Sequence, residues 1–368
     1  MKLAIIGASY LQEPIVYKAK ELNIETHCFA WDEGATCKNI ADYFYPISIV
    51  EKELILEKCK QIGIDGITSI ASDVAVPTVC YVAEKMGLVT NSYPDSIVQT
   101  NKYQMRKRFI EFGVRSPKFI VSSNNLSIDG FSFPLIVKPT DRSGSLGVKK
   151  VTNRDELFDA VERAKKQSFS KEAIIEEFVS GHEISVETIS WKGEHYVLAI
   201  TDKVTTGNPY YVELEHHQPS ILAESIINKI KVETKKALSA LNVNFGASHS
   251  EFMITENGEV YAIEVGARMG GDFIGSTLVY LSTGYDFVKG IIEVALGTFE
   301  KPQSTYKKCS GVYFLSEVTK RVLPYIQNAA NHPFVYEAKI TNEQLKKVQS
   351  SSERSGYFIY QSDKKIII

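Results

Sequence analysis

From Lys2 to Met86 the chain repeats one pattern, a short apolar run, a turn, and then an amphipathic stretch of helical length. Residues 2–6 read as a strand that stops at Gly7. Residues 14–22 read as a helix, 26–30 as a strand, 51–61 as a helix, 66–70 as a strand and 74–86 as a helix. Strands separated by helices return to the same sheet through right-handed crossovers, so this part predicts a parallel sheet. Such a sheet fixes no activity. The turn Gly7-Ala8-Ser9 is not the G-x-G-x-x-G of a dinucleotide site, and Asp32 is the only acid near the end of the second strand.

The balance of charges narrows the partners. Lys plus Arg total 42 and Asp plus Glu 44, a net charge of -2 that gives no basic stripe for nucleic acid. The five cysteines at 28, 37, 59, 80 and 309 lack metal-site or disulfide spacing and read as reduced thiols of a cytoplasmic protein. No stretch approaches the ~20 apolar residues of a membrane span, and the N-terminal apolar run is too short for a signal peptide.

Beyond residue 95 the pattern changes. A helix is expected at 101–112, ending at Gly113, followed by a strand that begins at Pro117. Two strands within 133–151 flank a Gly/Ser loop, and 155–167 is a helix capped by Asn153 or Thr152. Strands follow at 173–178, 183–191 and 195–203. A long amphipathic helix occupies 222–241. The strands 247–254 and 260–265 are joined through Asn257-Gly258, a strong hairpin signal. Helices are expected near 273–281 and 285–296. The tail from about 303 reads as a small α+β cap.

Three segments carry the chemistry. In the first, an apolar strand delivers Lys138, and Thr140 to Gly147 form a loop of small residues holding Ser143, Gly144, Ser145 and Gly147. Free backbone N–H groups in such a loop can close over polyphosphate, and the lysine adds a fixed charge. A plain surface hairpin gives the same pattern. The Walker signature is absent. In the second, the strand 173–177 runs into Glu176-Glu177-Phe178-Val179, turns at Ser180-Gly181 and re-enters with Glu183. A purine can lie on the apolar residues and bond to the backbone, with Glu183 accepting from ribose hydroxyls; solvated acids on a hairpin are the simpler reading of that segment alone. In the third, Glu251 and Glu264 flank the Asn257-Gly258 turn at nearly equal distance, so they face each other across the hairpin if the register holds. Two inward carboxylates on apolar strands need a positive partner. Mg²⁺ held between carboxylates and phosphate oxygens meets that need, as does a structural bridge to Lys or Arg. Arg268 stands near enough in sequence to stabilise charge on a transferred phosphoryl group.

The order of these segments, opened by Thr100-Asn101-Lys102-Tyr103-Gln104-Met105-Arg106, resembles the ATP-grasp superfamily of carboxylate–amine ligases and biotin carboxylase-like enzymes over roughly residues 1–300. The resemblance implies an α/β architecture with an N-terminal Rossmann-like (pre-ATP-grasp) parallel sheet domain at 1–95. A linker helix and α+β lid would follow at 96–185, a large ATP-grasp subdomain at 186–300 and a small C-terminal α+β segment at 301–368. It implies that Lys102 and Lys138 touch ATP phosphates, that the 176–179 backbone meets adenine, and that Glu183 holds ribose. By the same likeness Glu251 and Glu264 bind Mg²⁺, or Mn²⁺ in its place, and Arg268 acts at the reacting phosphate. Members of the family are often homodimers. Many have Asn where this chain has Gly266, so a second metal ion would lose an amide ligand here. Met269-Gly270-Gly271-Asp272 looks like a loop of peptide-forming members.

Residues 203–219 read as a long loop rich in Tyr, Glu and His. Such loops often carry function. Lys203, Tyr210, Glu213 and His216, with Arg268, Gly270, Gly271 and Asp272, are the expected substrate contacts. The expected reaction phosphorylates a small-molecule carboxylate with ATP and lets an amine displace phosphate. The rivals are a bicarbonate-using carboxylase of the biotin carboxylase or purine type and a non-catalytic ATP sensor.

Overall fold

The computed structural model describes residues 1–122 and 128–368. Its strands form three sheets. In the first, β1 (Lys2–Ile6) pairs in parallel with β2 (Glu25–Phe29) and β4 (Gly66–Thr68), and β2 pairs with β3 (Tyr43–Tyr45). The helices Glu13–Glu21 and Lys52–Ile62 lie between its strands and Val76–Met86 follows the last of them, as the strand–helix alternation predicts. The second sheet is antiparallel, in the order β5 (Phe119–Val121), β8 (Ala173–Glu177), β6 (Leu135–Pro139), β7 (Lys149–Val151). Its outer face is covered by the helix Arg154–Gln167, whose Leu157, Ala160, Val161 and Ala164 pack on Leu135, Val137 and Ile175. Asn153 caps this helix by accepting from the Glu156 N–H at 3.0 Å.

The third sheet has eight strands in the order β13 (Val260–Gly266), β12 (Gly246–Ile254), β9 (His182–Trp191), β10 (Glu194–Thr205), β11 (Glu213–Gln218), β14 (Cys309–Leu315), β16 (Gly356–Ser362), β15 (Val335–Ile340). Two sequence expectations change here. The tail is not a separate cap, because three of its strands extend the large sheet. Nor is 203–219 a long loop: Lys203 lies within β10, Glu213–Gln218 is a buried strand, and only the connection 206–212 remains irregular. The expected division at 185 and 186 runs through β9, all of which belongs to the large sheet. The expected helix at 273–281 begins as a π-helical segment, Ile274–Leu278.

The back of the large sheet packs on the helix Glu224–Ala240 through Ile184, Val186, Ile200 and Phe252. On the opposite face Ile189, Ala199 and Ala247 share one core with the helix Phe287–Ala295 and with Leu3 and Ile5 of the parallel sheet. This shared core fixes the N-terminal sheet against the large sheet, whereas the four-stranded sheet stands over the remaining open face. No helix among the described residues is long and apolar enough to cross a membrane.

Candidate active site

The four-stranded antiparallel sheet and the large sheet flank a cleft of about 190 Å³. It is lined by Lys102, Lys138, Ser143, Gly144, Ser145, Glu176–Val179 (176–179), Glu183, Lys203, Glu213, Glu251, Glu264 and Arg268, bringing together most of the residues singled out in the sequence. Alternation explains how. On β6, Leu135 and Val137 face the covering helix, so Ile136 and Lys138 face the cleft. On β12, Phe252 and Ile254 face the core, so His249, Glu251 and Met253 face the cleft.

The hairpin register is irregular at one place. Ile254 to Phe252 pair with Val260 to Ala262, then the register slips and Glu251 opposes Glu264. Ile263 is the extra residue of this β-bulge. A regular strand would send Ile263 and Glu264 to opposite faces; the bulge lets both line the cleft. An apolar side chain and a carboxylate thus become neighbours on one wall.

Both carboxylates already hold cations of the protein. Lys102 Nζ lies 2.7 Å from Glu264 and donates to the Arg142 carbonyl at 2.5 Å. Lys203 Nζ lies 2.6 Å from Glu183 and 2.6 Å from Glu251, with Glu213 at 4.0 Å. Burial alone would push the Lys203 ammonium towards neutrality, but the three carboxylates outweigh it and hold its pKa well above the ordinary value. Burial likewise raises Glu251, and Lys203 and His249 reverse this, leaving it well below the usual carboxylate range. Glu213 is raised by burial more than Lys203 lowers it. The donor set therefore suits a hard divalent cation: two opposed carboxylates, each with a lysine ammonium seated on it.

Lys138 is buried 2.7 Å from Glu176, and Glu176 lies 2.8 Å from Arg106. Burial lowers the Lys138 pKa despite Glu176. Burial pushes Glu176 up, but Arg106 and Lys138 bring it below its ordinary value. The Glu176 side chain thus belongs to this buried triad, leaving only its backbone for a base. Arg106 also donates to the Ile263 carbonyl at 2.6 Å, tying the linker helix Lys102–Glu111 to the bulge.

Other expected contacts lie elsewhere. Gly147 does not line the cleft; with φ at 77° and Pro139 Cγ 2.9 Å from where its Cβ would stand, it shapes the base of the loop. Tyr210 is 43% exposed and Tyr211 takes the lining position instead. His216 is buried edge-on to Phe314, and burial holds its pKa well below normal, away from any substrate amine. Gly270, Gly271 and Asp272 stand behind the cleft. The Gly270 N–H donates to Glu187 at 3.0 Å, and Asp272 is bound by both terminal nitrogens of Arg354 at 2.9 and 2.6 Å.

Four residues had no sequence signal that singled them out. His249 lies between Glu187, 2.5 Å from Nδ1, and Glu251, 3.4 Å from Nε2; burial opposes its charge, but Glu187 dominates and its pKa is raised to about 9. Asp73, from the N-terminal domain, pairs with Arg268 at 2.7 Å. Arg142 and Tyr211 complete the lining. Their proximity depends on tertiary contacts between distant segments.

A lysine-bearing four-stranded antiparallel sheet thus stands over a carboxylate-bearing hairpin of the large sheet, against which the parallel N-terminal sheet also packs. Residues 131–276 match the family model described as ATP-grasp domain. The chain is similar to alanine–anticapsin ligase of Bacillus subtilis (strain 168), 28% identical over 272 residues, covering 64% of this chain and 57% of that one. It thus spans little more than half the length of that relative. Among solved structures, L-amino acid ligase from Bacillus licheniformis superposes with a TM-score of 0.81 at 22% identity, covering 99% of this chain and 93% of that one. The biotin carboxylase domain of Hydrogenobacter thermophilus 2-oxoglutarate carboxylase, solved with MgADP and bicarbonate, gives 0.75 at 16%, covering 98% and 86%. These structural likenesses extend the ATP-grasp fold to the whole chain.

Proposed function

We propose that the chain is an ATP-dependent, ADP-forming ligase that activates a small-molecule carboxylate and joins it to an amine, with amino acids as the substrate class. The observation that carries this reading is the meeting of Lys102, Lys138, the 143–146 loop, opposed Glu251 and Glu264, and Arg268 in one cleft.

In this reading Lys138 and Lys102 neutralise the triphosphate, and the backbone of 176–179 with Ile136 and Ile263 receives the base. Glu251 and Glu264 hold Mg²⁺, which supplies positive charge to the phosphates. The substrate carboxylate attacks the γ-phosphate, ADP leaves, and the amine then displaces phosphate from the acyl phosphate. Arg268 faces the charge that develops in both steps. Because both carboxylates are bound to lysines in the free protein, Lys102 and Lys203 release them as nucleotide and metal enter. The freed ammonium groups then face phosphate oxygens. The 141–147 loop excludes water that would hydrolyse the acyl phosphate. The likeness to an L-amino acid ligase supports amino acids over other acids, and the protein works as a soluble-substrate enzyme without nucleic acid.

Phosphate release from ATP and Mg²⁺, screened over pairs of amino acids and over bicarbonate alone, tests the proposal. Release that requires an amino-acid pair, with a coupled product of the summed mass less water, is the expected result. Release driven by bicarbonate without an amino acid would favour the carboxylase reading, and nucleotide binding without release under any condition would favour a sensor.

A further inference from the structure

Arg268 is not held by its own strand or loop. Its Nη2 lies 2.7 Å from Oδ2 of Asp73, 195 residues earlier in the chain. Asp73 opens the short turn Asp73–Ala75 that leads into the helix Val76–Met86 of the N-terminal domain. The other nitrogens are less engaged: Nη1 reaches the Met269 carbonyl only at 3.4 Å, and Nε is buried without a partner. A second contact clamps the same segments, for the Ala71 N–H donates to the Met269 carbonyl at 3.1 Å. An arginine with one edge satisfied and a buried N–H left over has donors in reserve for an anion.

Gly266 explains how the carboxylate gets in. Its φ is not in the left-handed region, so the backbone would accept any residue. The space would not. A Cβ at 266 would stand 2.6 Å from Asp73 Oδ1, 3.1 Å from Arg268 Cζ and 3.3 Å from its Nε. Unbonded carbon and oxygen do not come so close, so a side chain at 266 would force the Asp73 carboxylate to shift from its place on Arg268. The carboxylate occupies the space into which an Asn at 266 would project.

We propose that Asp73 is the positioning residue for Arg268, that it holds the guanidinium with its free edge towards the transferred phosphoryl group, and that Gly266 is there to admit it. The assignment of a phosphoryl group to that edge rests on the proposed function; the pairing does not. A role for Asp73 as a substitute metal ligand is the competing use of the same space. The nearest cation to Asp73 is Arg268 itself, 2.7 Å away.

The test uses the full chain and two probes, MgADP alone and MgADP with aluminium fluoride, which mimics a phosphoryl group in flight. Asp73→Ala and Gly266→Ala should leave MgADP affinity within about twofold of wild type but weaken the fluoride complex at least about tenfold. The double variant should be no worse than Asp73→Ala, and Asp73→Asn, which keeps an acceptor oxygen, should recover part of the loss. Normal fluoride affinity in Asp73→Ala, or additive losses in the double variant, overturns the proposal. Loss of MgADP or Mn²⁺ affinity in Asp73→Ala overturns it in favour of a metal ligand. If wild type binds no MgADP, the proposed function fails, and labelling of Arg268 by phenylglyoxal in the free protein decides the pairing. Labelling several-fold faster in Asp73→Ala and Gly266→Ala supports it; an unchanged rate overturns it.

Discussion

Glu251 and Glu264 stand opposite each other across the β12–β13 ladder, at the step where the bulge at Ile263 shifts the register. The bulge turns a carboxylate pair and an apolar side chain to the same wall, so the proposed metal and base contacts both depend on one local irregularity. Glu264→Gln removes half of the charge that would hold the ion. The concentration of Mg²⁺ needed for half-maximal ATP binding should rise about tenfold or more, with little change in melting temperature. Titration of Mg²⁺ at fixed ATP checks this.

Lys203 joins Glu183 and Glu251 in the free protein. Breaking a buried pair by removing one partner leaves the other charge uncompensated, at a cost of about 3 kcal/mol. Lys203→Met should therefore unfold at lower urea concentration than wild type. Mg²⁺ should recover part of that loss, because it supplies the charge that Glu251 has lost. Urea unfolding with and without Mg²⁺ measures both effects.

For Lys138 the expected effect is on chemistry rather than folding. In Lys138→Met the Glu176 carboxylate keeps Arg106 2.8 Å away, so the buried acid is not left alone. Loss of a fixed charge at the transferred phosphates should lower kcat/KM by at least about 100-fold. Steady-state kinetics, together with an unchanged circular dichroism spectrum, test the two parts.

What the sequence revealed follows from how each feature is encoded. The parallel sheet was legible because each strand is an unbroken apolar run followed by an amphipathic helix, and the hairpin because Asn257-Gly258 marks its turn. The strand Glu213–Gln218 was hidden by its polarity. Most of its buried polar groups find partners: Glu215 accepts at 3.0 Å from His217, and Gln218 bonds Thr201 and Ser282 of neighbouring elements at 3.0 Å each, while both ring nitrogens of His216 stay unpartnered. The lysines seated on Glu264 and Glu251, and the Asp73–Arg268 pair, link segments far apart in the chain, and no local pattern records them. Gly266 alone gave a hint, as a departure from the expected amide, but its cause lay in another domain.

Buried histidines lower stability in acid, and His195 is one of them. His195 is bonded to Ser190 at 2.8 Å and Ser239 at 3.1 Å, and burial, with a smaller effect from Lys235, pushes its pKa down to about 4. The unfolded chain takes up this proton near pH 6.5, the folded chain only near 4. The stabilisation is therefore fully present above pH 6.5 and is lost progressively as pH falls towards 4, by an amount on the order of 3 kcal/mol. His195→Asn should flatten the unfolding free energy over that window, as read from urea unfolding at a series of pH values.

The most direct test of the account is calorimetric titration of ATP into the protein with and without Mg²⁺, repeated on Lys138→Met and Glu264→Gln. One-to-one binding that strengthens with Mg²⁺ in wild type, and that weakens sharply in both variants, is the predicted result. Heat that is absent in wild type, or that is indifferent to Mg²⁺ and to both substitutions, would contradict the claim that this cleft is where the nucleotide lies.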